Sequence, residues 1–111
     1  MSGDRYFFHG ECRGLASLKG LSIALASQDV ITDVHRHSLR LKGFECASIE
    51  FDRGEESEAA IEGTAKLLHV AQREAKRLSE ALSSLNIQHW LEVADATQNQ
   101  IEYIHNQWPE E

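Results

Sequence analysis

Between Glu55 and Asn86 the apolar residues Ile61, Ala65, Leu68, Ala71, Ala75, Leu78, Leu82 and Leu85 recur at steps of three and four. That spacing puts them on one stripe of an α-helix. From Leu68 onward the alternating steps also fit the seam of a coiled coil. The other positions carry Glu58, Glu62, Lys66, Arg73, Glu74, Lys76, Arg77 and Glu80, with Glu62–Lys66 and Lys76–Glu80 as opposite charges one turn apart. Upstream, Asp52 and Glu55 have the spacing of a capping box. Gly63 is the weak point, about 1 kcal/mol less favourable in a helix than alanine. The stretch is therefore predicted to be one long helix, roughly 45 Å at about 1.5 Å per residue. A strand covers only about 17–20 Å. A helix of that length overhangs any sheet it covers, and the overhang offers a surface to a second copy or to another protein.

The flanking segments are short. Arg5–His9 is a dense aromatic run that reads as a strand, and Gly10–Gly14 reads as a turn. Residues 15–27 place Leu15, Leu18, Leu21 and Leu25 on one helical face, yet Leu21, Ile23 and Leu25 also alternate like a strand; the alanine and leucine content favours helix. Val30–His35 is β-branched and reads as a strand. In the extended stretch Leu39–Phe51, the residues Leu39, Leu41, Ala47, Ile49 and Phe51 share one face. The hairpin between these two stretches turns either at Arg36–Ser38 or at Lys42–Gly43. Ile87–Val93 reads as another strand. Thr97–Gln100 has capping-box spacing, and Ile101, Ile104, His105 and Trp108 follow at helical intervals before Pro109, which predicts a short terminal helix over 98–108. A strand from Gln100 to Ile104 is the alternative.

The expected fold is a single α+β domain over residues 1–111. It is a two-layer sandwich in which an antiparallel sheet is covered by the long helix, with the ferredoxin-like β-α-β-β-α-β order plus a short C-terminal helix. Such an order hosts many functions and points to none.

A formal net charge of −7 disfavours nucleic acid and anionic membranes as partners, because their phosphates repel the chain as a whole. The N-terminus lacks the serial basic, apolar and cleavage regions of a signal peptide, and no apolar run approaches a membrane span. A cytoplasmic protein with Cys12 and Cys46 reduced is expected. The cysteine spacing matches no zinc pattern.

Five features of the sequence suggest sites. Arg36, Arg40 and Lys42 form the densest basic patch, suited to an acidic protein partner, a phosphate or a short nucleic-acid segment, or simply to protecting an edge strand. Arg73 and Arg77, with His69 and Lys76, make a second basic stripe on the predicted helix. Trp108 suits either a core anchor or a binding hot spot. His35 and His37 sit two apart, as a shared metal requires on a strand, with His9, Cys12, Cys46 or Asp33 as further ligands. Cys12 near His9 and Glu11 is the one local grouping with a nucleophile beside a base, and no motif supports it. The reading is a non-enzymatic protein that binds another protein, with no cofactor and with self-association as an option. The alternative is a small-molecule or metal-binding module on the sheet face near His35 and His37.

Overall fold

The computed structural model of the chain describes residues 5–13, 17–52 and 55–106. Its strands are β1 (Tyr6–Arg13), β2 (Thr32–Val34), β3 (Ser38–Leu41), β4 (Cys46–Asp52), β5 (Glu55–Ala65), β6 (Gln88–Ala94) and β7 (Gln100–Asn106). Two helices interrupt them: α1 (Leu18–Ala26) after β1 and α2 (Leu68–Ser84) after β5. All strands belong to one antiparallel seven-stranded sheet in the order β2-β3-β4-β5-β1-β6-β7. This overturns the ferredoxin-like expectation and the sandwich with a long covering helix: the fold is sheet-rich, and its helices are short.

The largest correction concerns the predicted long helix. Its first third is β5, and only Leu68–Ser84 is helical. From Glu58 onward the buried residues of β5 are Ala59, Ile61, Gly63 and Ala65, which is strand alternation. Periods of 2 and 3.6 agree at a step of four, so Ile61 and Ala65 satisfy both. Gly63 supplies the deciding detail. A Cβ there would collide with the Phe8 ring, which lies where a side chain would stand. Glycine at this position is a packing requirement of the sheet, and pairing with β1 and β4 overrides the helical propensity of the glutamates and alanines. No side chain caps the start of α2. Just ahead of it, the Lys66 N–H donates to the Glu45 carboxylate at 2.9 Å. The overhang, and self-association through it, disappear.

Both helices end alike. Asp29 and Asn86 adopt φ of 63° and 60°. The N–H that follows each reaches back to an earlier carbonyl, Val30 to Leu25 at 3.0 Å and Ile87 to Leu82 at 2.9 Å. This is the Schellman arrangement, which satisfies the free carbonyls of a last turn. At the start of α1, the Ser17 side chain accepts from the Gly20 N–H at 2.9 Å.

Three further expectations change. In the predicted turn Gly10–Gly14, residues 10–13 are strand, since β1 runs through Gly10 to Arg13, and Gly14 lies outside the described residues. A Cβ on Gly10 would strike the Trp90 carbonyl, so β1 and β6 approach closely because this residue is glycine. Both proposed hairpin turns exist, one before Ser38 and one at Lys42–Glu45, where Gly43 takes φ of 84°. The terminal helix is replaced by β7, the alternative strand. The expected capping box at Thr97 belongs to the β6–β7 turn. There the Asp95 carboxylate accepts from the N–H groups of Thr97 and Asn99 and from the Thr97 hydroxyl, at 2.8–3.0 Å. These bonds favour the charged form and hold the Asp95 pKa below its ordinary value.

The core lies on one side of the sheet. Strand pairing lines up Val34, Leu39, Ile49, Ile61, Gly10, Leu91 and Ile104 in one row across all seven strands. From Leu39 to Leu91 the row is buried. Each fully buried aliphatic side chain contributes about 1.5–3 kcal/mol. The α2 residues Ala71, Ala75, Leu78 and Leu82 cover the β5-β1-β6-β7 half, and Leu21 and Leu25 of α1 cover the β2-β3 half. Arg77 ties the two halves together. Its guanidinium donates to the Asp29 carbonyl at 2.9 Å and lies 5.2 Å over the Phe44 ring.

Candidate functional site

Among the described residues, no helix packs on the opposite face of the sheet. One residue along each strand from the apolar row, the same pairing aligns Asp33, Arg40, Ser48, Glu62, His9, Glu92 and Tyr103. Every position in this second row is polar, and none is buried. His9 sits directly between Glu62 on β5 and Glu92 on β6. Its Nε2 lies 3.2 Å from Glu92 Oε1, an ion pair when the imidazole is protonated.

Beside His9 the aromatic residues gather. Trp90 meets the His9 ring edge-on at 5.8 Å and stacks on Tyr103 at 6.1 Å. The Trp90 indole N–H donates to Glu11 Oε1 at 3.1 Å. On the other side, Glu50 and Glu62 are close enough to share a hydrogen bond. That bond needs a proton, and it raises the Glu50 pKa, with partial burial and the Glu62 charge adding to it.

Three shallow hollows open along this face, and Glu62 lines all of them. The hollow over β3-β4-β5, of about 580 Å³, is lined by His35, Ser38, Arg40, Ser48 and Thr64 among others. One of about 370 Å³ adjoins Glu11, Glu50 and Glu58. The third, about 550 Å³, runs past His9 and Glu92 to the Asp95 turn. Together they form a trough with carboxylates along its middle and cations at the rims, where Arg40 stands on β3 and Arg13 at the end of β1.

The residues singled out from sequence are scattered by the fold. Arg40 lies on the open face, while Arg36 is in the β2–β3 turn. Lys42 pairs with Asp33 at 3.4 Å beside the edge strand β2. Arg73 is exposed on α2, and Arg77 is engaged with Asp29 and Phe44. Trp108 lies outside the described residues. His35 borders the hollow over β3-β4-β5, and His37 sits in the turn, where its carbonyl accepts from the Phe51 N–H at 2.8 Å. No group of three or more His, Cys, Asp or Glu side chains is placed to hold a metal ion among the described residues. The grouping of His9, Glu11 and Cys12 is split by strand parity. His9 and Glu11 face the trough, and Cys12 is buried on the core side.

Burial and the neighbouring Glu11 charge push the Cys12 pKa up to about 12. Next to it in register is His89, fully buried, whose Nδ1 lies 2.9 Å from the Ile87 carbonyl. A carbonyl only accepts, so Nδ1 carries a proton; in the neutral imidazole Nε2 then accepts from the Ser79 hydroxyl at 2.7 Å. This serine–histidine pair resembles a nucleophile with its base, but it is sealed between α2 and β6. Glu74 is buried as well. Its Oε2 accepts from the Glu45 N–H at 2.8 Å, and burial raises its pKa against that bond.

Sequence reasoning passed over His9, Glu62, Trp90, Glu92 and Tyr103 as a group. Each comes from a different strand or a different position along one, and only the register assembles them. The available signal was the alternation of Glu58, Ala60, Glu62 and Thr64 against Ala59, Ile61, Gly63 and Ala65. Comparison of the chain with protein-family models, with curated proteins and with solved structures finds no match. No helix among the described residues is long and apolar enough to cross a membrane.

Proposed function

We propose that this chain is a non-enzymatic protein-binding module that takes a cationic segment of its partner on the uncovered face of the sheet. The observation that carries the reading is the row Glu62–His9–Glu92, with Glu50 and Glu11 beside it and the Trp90–Tyr103 stack at its end. Carboxylates at strand spacing offer salt-bridge partners to successive lysine or arginine side chains. The aromatic stack beside them is of the chemistry that attracts a guanidinium or ammonium group. Small-molecule sites enclose most of their ligand. A trough open along its length suits an extended segment better. The buried Ser79–His89 pair and the protonated Cys12 thiol, both sealed from solvent, favour a binding role over a catalytic one.

The test is a titration of full-length protein with oligo-arginine and oligo-glutamate peptides of equal length, followed by Trp90 fluorescence in a Trp108→Phe background. The oligo-arginine peptide is expected to bind, more weakly as salt rises. Glu62→Gln with Glu92→Gln is expected to weaken it by about tenfold or more. Oligo-glutamate binding that disappears with Arg36→Glu and Arg40→Glu would transfer the reading to the basic patch. Binding of neither peptide would overturn it.

A second reading has one observation in its favour. The hollow bordered by His35 has the size of a metabolite site, and Arg40, Ser48 and Thr64 offer it polar groups. Histidine NMR shifts at His35 and His37 on adding zinc or small anions would support it, and unperturbed spectra would remove it.

A further inference from the structure

The two edges of the sheet are built differently. β2 has three residues, and Lys42 is paired with Asp33 alongside it. Shortness and charge of this kind discourage strand addition. β7 has seven residues, contains no lysine, arginine or proline, and carries Glu102 as its one Asp or Glu. Ile101 and Tyr103 on it are 40% and 41% exposed. Among the described residues its neighbour within the sheet is β6 alone, so one side of its backbone faces away from the sheet. A long edge strand without lysine, arginine or proline is a template for another strand.

We propose that a second copy of this chain pairs antiparallel with β7, centred on Tyr103, so that two seven-stranded sheets join into one. Several features favour the same strand over a foreign one. Full overlap of 100–106 with itself places Gln100 opposite Asn106 and Glu102 opposite Ile104 of the partner subunit, with Tyr103 opposite the partner's Tyr103. No carboxylate faces its own copy, so an acidic chain pairs here along its least charged edge. Residues of equal parity meet, so core-side positions face core-side positions and the pleats of the two sheets match. The twofold axis stands perpendicular to the sheet and leaves both α2 helices on the same side. Because α2 packs on β7 as well as on β6, β1 and β5, the two helices flank the joint and add contact area to the strand pairing. The two open faces become continuous. Pairing through β7 does not depend on what the trough binds.

The test measures mass by light scattering during size-exclusion chromatography of the full chain, over a concentration series at low and high salt. A dimer is expected, and it tightens as salt screens the net charge of −7 on each copy. Tyr103→Lys sets two like charges on the axis and is expected to weaken the dimer about tenfold or more, with an unchanged circular dichroism spectrum. If that variant fails to fold, Tyr103→Cys in a Cys46→Ser background decides. Directly opposed cysteines in an antiparallel pair lie within disulfide reach, so mild oxidation yields a covalent dimer. A strict monomer at every concentration and salt overturns the proposal. So does a dimer that keeps its strength in folded Tyr103→Lys, or one in which Tyr103→Cys gives no cross-link.

Discussion

Two rows of seven residues cross the sheet one position apart, and they obey different rules. The row Val34–Leu39–Ile49–Ile61–Gly10–Leu91–Ile104 is set by packing: from Leu39 to Leu91 it is buried beneath the helices, and only Val34 at the β2 edge is largely exposed. The row Asp33–Arg40–Ser48–Glu62–His9–Glu92–Tyr103 faces solvent, and packing imposes little on it. A sheet face that only needed to be wet could carry threonine, serine and lysine in any order. This one concentrates carboxylates around a histidine and sets an aromatic stack beside them. The contrast separates the residues that make the fold from those available for recognition.

The strongest way to break the contrast is at Gly10, the one position in the packed row with no side chain. A Cβ there meets the backbone of Trp90, which cannot swing aside as a side chain can. Gly10→Val is expected to cost about 4 kcal/mol or more, or to abolish folding, by urea denaturation. Gly63→Val is expected to cost less, because the obstacle is the movable Phe8 ring. Wild-type stability in Gly10→Val would show that β1 and β6 are not so closely apposed.

Neighbouring residues on β5 give the next comparison. Ile61 faces the core and Glu62 the trough. Ile61→Ala is expected to lose about 2–5 kcal/mol. Glu62→Ala should stay within about 0.5 kcal/mol. Equal losses would mean that the second face is covered too. A third comparison uses the two thiols and leaves stability untouched. Cys46 is exposed, whereas Cys12 is buried with its pKa pushed up to about 12. At pH 8 only roughly one Cys12 in 10⁴ is a thiolate, and reagent must also reach it. Native protein should therefore titrate one thiol quickly with a disulfide reagent and the second only on unfolding. Rapid labelling of both would place Cys12 at the surface.

How much of this was legible beforehand depends on whether a signal was local. The helical stripe from Leu68 to Leu85, the strands near Val30 and Ile87, and the shared face of Leu39, Leu41, Ala47, Ile49 and Phe51 were all readable, because periodicity is a property of neighbours along the chain. The segment Glu55–Ala65 was not. Its glutamates and alanines prefer helix, and the reasons for strand lie elsewhere, in the Phe8 ring over Gly63 and in pairing with β1 and β4. Thr97–Gln100 misled in a similar way: Asp95, just upstream, takes up the free N–H groups and closes a β-turn. The trough is less legible still. Glu62, His9 and Glu92 are tens of residues apart in sequence, and they become neighbours through register, which no single-strand pattern specifies.

The smallest expected effect distinguishes two glutamates raised for different reasons, one on each side of the sheet. Glu74 is raised mainly by burial, Glu50 mainly by its hydrogen bond with Glu62. In both, the folded state holds its proton more tightly than the unfolded chain does. Their contribution to stability is therefore complete below the ordinary glutamate value of 4.5 and is lost as pH rises through each raised folded value. Asp95 works in the opposite sense. Its folded value is depressed, so its contribution is present above 3.8 and is lost as pH falls through that lower value. Mild acidification from neutral pH should thus stabilise the protein slightly before stronger acid reverses the trend. Carboxyl ¹³C titrations resolve the causes. Glu62→Gln removes the shared proton and one charge, and its amide can donate to the Glu50 carboxylate, so the Glu50 titration should move down while that of Glu74 stays in place. A Glu50 titration that does not move in Glu62→Gln would mean that the two carboxyls are not in contact, and the middle of the trough would lose its closest pair.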